Sequence, residues 1–346
     1  MKYFNLSTSF VTSWLLGLCA AQVNVPPGFE PGVKWQIDIQ HSLDTSAPLV
    51  PTDAPVWDLD LYFISRNPDT VAYLREQNPD VFIMCYFNAG AVQESDCDWD
   101  VWQRPEFSRL LGNALNGFPD ERWVNIKNQT GRDLIKKRIT VARELGCDGV
   151  DPDNIDGYRV DEDDELPAQN KTGFSLSEQD ELTFIRDMAQ HAHNLTTTRG
   201  FTMLIGQKNA APLAEALFDE LDFAVLEDCK GLNEDPEDDE ANFCAQFRRY
   251  ITATPRAKPV FSIEYPMSLR NPDTDGCNPT GAKESEFSAS CDPRPETQGF
   301  STVLKIQGDE EELNGCTQYC GQLGSGVVVT AEDPAKDDNS CTAGTF

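Results

Sequence analysis

The chain is poor in histidine and has no closely spaced CxxC pair of cysteines. Its three histidines are His41, His191 and His193, and none stands at ligand spacing from a cysteine. Structural zinc sites are commonly built from cysteine pairs, or from cysteine combined with histidine. The sequence therefore predicts no metal centre and no cofactor.

Basic residues are also scarce. The chain has 28 lysines and arginines against 58 aspartates and glutamates, a formal net charge of −30. A surface of this sign repels phosphate backbones and anionic lipid, so neither nucleic acid nor membrane is expected as a partner. The charge suits a cationic ligand, although many secreted proteins are acidic for solubility alone.

One apolar run occurs near the start of the chain, where "FVTSWLLGLCAA" covers residues 10–21 behind Lys2. A charge, a short apolar run and small residues at its end predict a secretory signal over residues 1–21. A membrane anchor is the alternative, but the run is short for a bilayer. We therefore expect a secreted, extracellular and soluble mature protein of residues 22–346.

Ten of the eleven cysteines lie outside this predicted signal, the exception being Cys19. An even number in an oxidising compartment predicts disulfides, but spacing does not reveal which cysteines pair. The acceptor pattern N-x-T at Asn128, Asn170 and Asn194 predicts glycosylation in the same compartment.

Apolar runs with strand character alternate with helical stretches over most of the chain. A helix is predicted over residues 132–145, closed by Gly146, and another begins at Ser177 and runs to about Thr197. The barrel strands are predicted at residues 35–40, 56–64, 80–90, 147–154, 201–209, 221–229, 258–266 and 301–308. Such alternation predicts parallel strands joined by helices.

Eight strands over about 300 residues fit an α/β fold of the (β/α)8 TIM-barrel type. A doubly wound open sheet is the alternative, but "WQIDIQHSLDTS" at the first strand lacks the glycine-rich loop expected there. We predict a single domain with a cysteine-rich extension at about 270–346. Residues 159–173 and the tail from Gly308 are predicted to be surface insertions.

Polar residues collect where the predicted strands end. The carboxyl ends of barrel strands line a single cleft, so acids scattered along the chain should meet there. Asp153 and Glu227 each follow an apolar strand, on the fourth and sixth strands. Two carboxyl groups facing across a barrel mouth are what glycoside cleavage requires, although each acid taken alone is as consistent with a solvated surface.

Other side chains at these ends could support that chemistry. Lys208, on the fifth strand, could balance the carboxylate charges or bind sugar hydroxyls. Tyr86, Trp123 and Tyr265 could stack on sugar rings, or could simply pack in the core.

Several long motifs occur in the order seen in glycoside hydrolase family 114. They are "WQIDIQHSLD", "VWDLDLYF", "MCYFNAG", "RWVNI", "GCDGVDPDNIDGY", "IGQKNA", "FAVLEDC" and "VFSIEY". The resemblance runs from about Trp35 to Tyr265. The family consists of secreted endo-α-1,4-polygalactosaminidases on a (β/α)8 barrel.

The resemblance implies roles for individual residues. By motif, Asp153 and Glu227 would be the catalytic pair. We expect Asp153 to be the nucleophile because neighbouring polar groups can keep it ionised, and Glu227 to be the general acid because apolar "FAVL" precedes it and would raise its pKa. The expected substrate-binding residues are Asp60, Tyr86, Asp151, Asn154, Asp156, Lys208, Asn209, Glu264 and Tyr265.

The function so implied is cleavage of α-1,4-galactosaminidic bonds within galactosaminogalactan, with retention, by a monomer acting on a cationic polysaccharide. One alternative is a non-catalytic polysaccharide-binding barrel. Another is a metal-dependent phosphodiesterase, in which the aspartate cluster would hold a divalent ion. Such a metal site would require histidine ligands at the strand ends, and His41 is the one histidine near a predicted strand end.

Overall fold

The computed structural model describes residues 23–232, 242–274, 276–307, 311–321 and 326–342. The predicted signal, residues 1–21, lies outside these ranges. The strands are β1 Trp35–Asp38, β2 Val56–Asp60, β3 Phe82–Asn88, β4 Ala91–Gln93, β5 Leu111–Leu115, β6 Phe118–Val124, β7 Gly149–Asp153, β8 Leu204–Lys208, β9 Phe223–Glu227, β10 Val260–Glu264, β11 Ser301–Leu304, β12 Ile306–Gln307, β13 Glu311–Glu312, β14 Cys316–Tyr319 and β15 Val327–Val329.

The α-helices are α1 Leu61–Arg66, α2 Asp69–Gln77, α3 Trp99–Trp102, α4 Gln129–Leu145, α5 Gly157–Glu162, α6 Glu178–His193, α7 Ala214–Leu217, α8 Arg248–Thr252 and α9 Glu284–Cys291. As predicted, Gly146 ends α4 with a left-handed φ of 103°. Ser177 begins α6 through a capping box with Asp180. No helix in the described ranges has the length and apolar character that a membrane span requires.

Ten strands form one curved sheet in the order β1-β2-β3-β7-β8-β9-β10-β11-β14-β15. Neighbours from β1 to β11 pair in parallel, which gives the eight predicted barrel strands. Helices between them cover the outer face, so the predicted TIM-like (β/α)8 architecture is confirmed.

The tail from Gly308 was predicted to be a surface insertion, and this prediction is wrong for its described strands. β14 pairs antiparallel with β11, and β15 pairs antiparallel with β14. The amide of Gln36 on β1 accepts from Thr317 Oγ1 at 2.7 Å and donates to Thr330 Oγ1 at 2.7 Å. The tail thus covers a sheet edge whose backbone groups would otherwise lack partners.

Side chains alternate between the two faces of each barrel strand, as strand geometry requires. The barrel interior holds Trp35, Phe82, Phe223 and Phe261, and Phe29 packs among three of these rings, 4.2 Å from Phe82. This aromatic layer fills the part of the barrel nearest the amino ends of the strands. Inward positions nearer the carboxyl ends are polar.

A three-stranded antiparallel sheet, ordered β4-β6-β5, is inserted after β3. Trp123 on β6 is buried there against Ala91 and Leu115. Trp123 and Val124 of the motif "RWVNI" end β6, outside the barrel. Trp123 is therefore a packing residue of this small sheet and does not provide a surface for stacking on sugar rings.

Five disulfides use all ten cysteines that lie outside the predicted signal. The pairs are Cys85–Cys147, Cys97–Cys341, Cys229–Cys244, Cys277–Cys316 and Cys291–Cys320. Three of them involve cysteines of the C-terminal extension, which they fasten to the loop between β4 and α3 or to itself.

Candidate active site

The candidate site lies at the carboxyl ends of five consecutive barrel strands, β3 and β7 to β10. Near the carboxyl end of each of these strands, one residue points to the barrel interior because it keeps the parity of the apolar interior residues. These residues are Tyr86, Asp153, Lys208, Glu227 and Tyr265. Contacts join all five into one cluster.

Asp153 accepts three hydrogen bonds at the end of β7. Tyr86 Oη donates at 2.7 Å, the backbone N–H of Asn154 at 2.8 Å and Lys208 Nζ at 3.1 Å. Burial by itself would raise the pKa of this carboxyl, but Lys208 and the hydrogen bonds outweigh burial and lower it below the ordinary value. Asp153 is therefore held as a carboxylate.

Glu227 ends β9 opposite Asp153. Its Oε2 lies 2.7 Å from Lys208 Nζ, and its Oε1 lies 2.5 Å from Tyr265 Oη. Asn209 Oδ1 accepts the backbone N–H of Glu227 at 2.9 Å. The apolar setting expected for Glu227 from "FAVL" is wrong, since both carboxylate oxygens have polar partners.

Lys208 stands between the two carboxylates with only 5% of its side chain exposed. Burial alone would lower the pKa of its ammonium, but the facing charges of Asp153 and Glu227 raise it well above the ordinary value. The amine is thus a fixed positive charge that allows two carboxylates to face each other at close range.

Three successive strands, β7, β8 and β9, are followed by a non-glycine residue with positive φ. These residues are Asn154 at 55°, Asn209 at 40° and Asp228 at 47°. Asparagine and aspartate tolerate this region better than other residues, but it is uncommon and such strain gathers at functional sites. At Asn154 the turn brings the backbone against Gly90, where an added Cβ would meet the Asn154 carbonyl at 1.7 Å.

Below the catalytic level, Asp58 on β2 and Asp151 on β7 face each other inside the barrel. Both are fully buried, and the two carboxyls lie close enough to share one proton. Burial raises the pKa of Asp151 to about 7 and that of Asp58 well above its ordinary value. Lys208 faces both carboxyls, so the negative charge of this pair helps to stabilise the ammonium of the lysine.

Two expected substrate contacts need correction. Asp151 and Glu264 have no exposed surface, so the structure places them beneath the site and not on its surface. Glu264 precedes Tyr265 and so points to the opposite face of β10, where Ser262 Oγ and Cys229 Sγ contact it. Burial raises its pKa to about 8.

Two other expected residues lie at the rim. Asp60 is half-buried and caps α1, its Oδ1 accepting from the N–H groups of Tyr62 and Phe63 at 2.8 and 2.9 Å. Burial raises its pKa to about 7. Asp156 is half-buried at the start of α5, and burial also raises its pKa.

Glu121 is a site residue that the sequence did not reveal. It lies on β6 of the inserted sheet, and its Oε2 accepts from Asn88 Nδ2 at 2.6 Å. Burial, followed by the charge of Asp153, raises its pKa to about 7. Since Glu121 follows no barrel strand, only the packing of β6 over β3 could have identified it.

Among the described residues, one group of three has the spacing of metal ligands: Cys229, Cys244 and Glu264. The two sulfurs form a disulfide, so they offer no thiolate to a metal. His41, the histidine considered for an ion site, is bound to Asp337 at 2.8 Å between Nδ1 and Oδ2.

Similarity to known proteins agrees with this geometry. The crystal structure of Aspergillus fumigatus Ega3 in complex with galactosamine is 29% identical and matches with a TM-score of 0.65, covering 87% of this chain and 100% of that chain. The glycoside hydrolase domain of PelA from Pseudomonas aeruginosa is 13% identical with a TM-score of 0.51, covering 79% of this chain and 94% of that one, and so shares the fold. No curated protein sequence matches the chain.

The model of glycoside hydrolase family GH114 matches residues 19–324, which include both barrel carboxylates, the lysine between them and most of the extension. The match spans well over half of the chain. The protein therefore belongs to family GH114 and is a glycoside hydrolase.

Proposed function

We propose that this enzyme cleaves α-1,4-galactosaminidic bonds within galactosamine-containing polysaccharide such as galactosaminogalactan, and that it does so with retention of anomeric configuration. The observation that carries the proposal is the bridge from Asp153 through Lys208 to Glu227. Similarity to Ega3, whose crystal structure contains galactosamine, supports the choice of sugar.

The distances favour retention. One oxygen of Asp153 lies 3.1 Å from Lys208 Nζ, and one oxygen of Glu227 lies 2.7 Å from the same nitrogen. The two oxygens cannot be farther apart than these distances added together, which is less than the roughly 6.5 Å at which the inverting range begins. A separation this short leaves no room for a water molecule between nucleophile and sugar.

In the first step, an oxygen of Asp153 bonds to the anomeric carbon while the glycosidic C–O bond breaks. Glu227 gives its proton to the leaving oxygen. In the second step Glu227 takes a proton from water, whose oxygen bonds to the anomeric carbon and releases Asp153. The three donors on Asp153 favour this residue as the nucleophile, since a nucleophile must be ionised.

Replacing either carboxylate tests the proposal. Asp153→Asn and Glu227→Gln are each expected to lower turnover on partially deacetylated galactosaminogalactan by about 100-fold or more, with the folded structure retained. Asp164→Asn, an exposed acid of the loop after α5, is the control. Near-normal turnover in either variant would overturn the assignment.

Product stereochemistry tests the mechanism separately. The α-anomer should appear first in a proton NMR time course, and an initial β-anomer would mean inversion. A wild-type enzyme that binds the polymer but releases no shorter chains would favour the non-catalytic binding barrel instead.

We also propose that the enzyme is secreted. Five disulfides suit an oxidising compartment. We infer that the signal is removed near Ala21 and that the mature enzyme acts outside the cell as a monomer. Glycosylation at Asn128, Asn170 and Asn194 remains a prediction.

A further inference from the structure

A second cavity begins one side chain away from Glu227. Its volume is about 210 Å³, and it lies between the segment after β9, the segment after β10 and helix α9. Tyr265 belongs to both places, because it lines this cavity while its hydroxyl contacts Glu227 at 2.5 Å. The cavity therefore adjoins the catalytic centre across the side chain of Tyr265.

The cavity is lined by apolar and acidic groups together. Leu232, Pro266 and Ala289 contribute apolar surface, and Met267 is 60% exposed, more than the other large apolar side chains of the described residues. A methionine held out to solvent beside a catalytic site offers an adaptable surface to the apolar face of a sugar ring. The volume is below the roughly 300–1,000 Å³ of a drug-sized site, so one ring fits it better than several.

Glu286 on α9 supplies the charge. Its Oε2 accepts from the N–H of Ser268 at 2.8 Å and from the hydroxyl of Ser268 at 2.7 Å. These two bonds fix the carboxylate at the cavity wall, and in the described part of the chain Oε1 has no hydrogen-bond partner. A fixed carboxylate with one oxygen available is suited to a protonated amine.

We propose that this cavity is a subsite for one sugar unit next to the cleaved bond, and that Glu286 selects a unit with a free 2-amino group. The inference rests on the proposed function and deepens it. Met267 packs on the ring and Glu286 pairs with its ammonium. N-Acetylation of that unit removes the charge that Glu286 recognises.

The test compares Glu286→Gln with Glu284→Gln, an exposed acid in the first turn of the same helix that does not line the cavity. Steady-state kinetics are measured on galactosamine oligomers with free amines and on the same oligomers fully N-acetylated. Glu286→Gln should raise KM for free-amine chains about two- to fivefold, the effect of a partly exposed ion pair, with a smaller change in kcat. KM for acetylated chains should stay constant, and Glu284→Gln should match wild type on both.

Met267→Ala provides a second readout, since it should raise KM for both kinds of chain. KM does not depend on the concentration of active enzyme, so partial unfolding of a variant cannot imitate these results. An unchanged KM in Glu286→Gln, or an equal rise on both substrates, would overturn the subsite while leaving the proposed function intact. If wild type cleaves neither substrate, the proposed function fails and the subsite fails with it.

Discussion

At the scale of single residues, Lys208 makes the catalytic pair possible. Asp153 and Glu227 would repel each other at their observed separation, and one of them would take up a proton. The buried ammonium contacts both and favours the ionised form of Asp153. Its position also fixes the distance on which the proposed retaining mechanism depends.

Lys208→Met is expected to lower kcat/KM by about 100-fold or more, because small displacements of reacting groups have effects of that size. Without the ammonium the pKa of Asp153 rises, and Asp153 must be ionised to attack. The acidic limb of the pH–rate profile should therefore move to higher pH. Lys208→Arg, which keeps the charge, should lose activity with a smaller displacement of that limb. An unshifted limb in Lys208→Met would show that Lys208 does not set the charge of Asp153.

The buried Asp58–Asp151 pair predicts how stability depends on pH. Its pKa values are raised in the folded state, by burial first, so the pair binds protons more tightly folded than unfolded. The stability it contributes is fully present below pH about 4 and is lost as pH rises through about 7. Asp58→Asn, which keeps a donor toward Asp151, should therefore lose less stability between pH 5 and pH 8 than wild type.

Urea unfolding at pH 5 and pH 8 measures this difference, which should be about 1–2 kcal/mol. Some slope will persist in the variant, because burial also raises the pKa of Glu264 and Glu181. Asp58→Leu is the contrasting variant, since it leaves Asp151 buried without a donor and should destabilise by about 3 kcal/mol. Equal slopes in wild type and Asp58→Asn would contradict the shared proton.

At the scale of elements, helix α4 holds the end of β3 and the loop before α3 through one arginine. Arg138 is fully buried. Its guanidinium donates to both oxygens of Asp98 at 2.7 and 2.9 Å, to Asp96 at 2.9 Å and to the carbonyl of Asn88 at 2.6 Å. Asn88 in turn binds Glu121, so α4 is linked to the site through this network.

Arg138→Met should destabilise the protein by about 3–5 kcal/mol, because it leaves two buried aspartates without their counter-charge. The neighbouring exposed Lys137→Met should leave the unfolding midpoint nearly unchanged. Thermal unfolding followed by circular dichroism measures both. A loss below about 1 kcal/mol in Arg138→Met would mean that water or other donors already satisfy Asp96 and Asp98.

At the scale of the whole molecule, the charge of −30 predicts attraction for a polycation. The set of acids that can contact substrate is smaller than the sequence suggested, because Asp151 and Glu264 are buried. We expect kcat/KM on free-amine chains to fall as salt rises, since attraction between exposed charges is screened beyond about 10 Å at 0.1 M. Acetylated chains should be cut more slowly and with little dependence on salt. If salt has no effect and acetylated chains are cut equally well, the net charge serves solubility only.

The cysteines give a second prediction at this scale. The ten cysteines outside the predicted signal are all paired, which leaves Cys19. The mature secreted protein should show no free thiol when titrated in denaturant. One free thiol would mean that the segment carrying Cys19 is retained, and several would mean that the disulfides do not form.

The sequence by itself determined the barrel fold and the placement of the candidate active site at the carboxyl ends of the barrel strands. Apolar runs of strand length alternate with helical periods, and local signals such as Ser177 and Gly146 mark helix ends. Parallel strands bring their carboxyl ends together, so Asp153, Lys208 and Glu227 could be expected near one another from their positions alone.

Only the tertiary structure decided which polar residues work together. Alternation along β10 puts Tyr265 in the site and Glu264 behind it, and the register of β2 puts Asp58 inside the barrel against Asp151. Glu121 reaches the site from an inserted sheet, and the tail strands extend the barrel sheet beyond β11. These contacts join residues far apart in the chain, and local patterns carry no information about such distances because they depend on packing between elements.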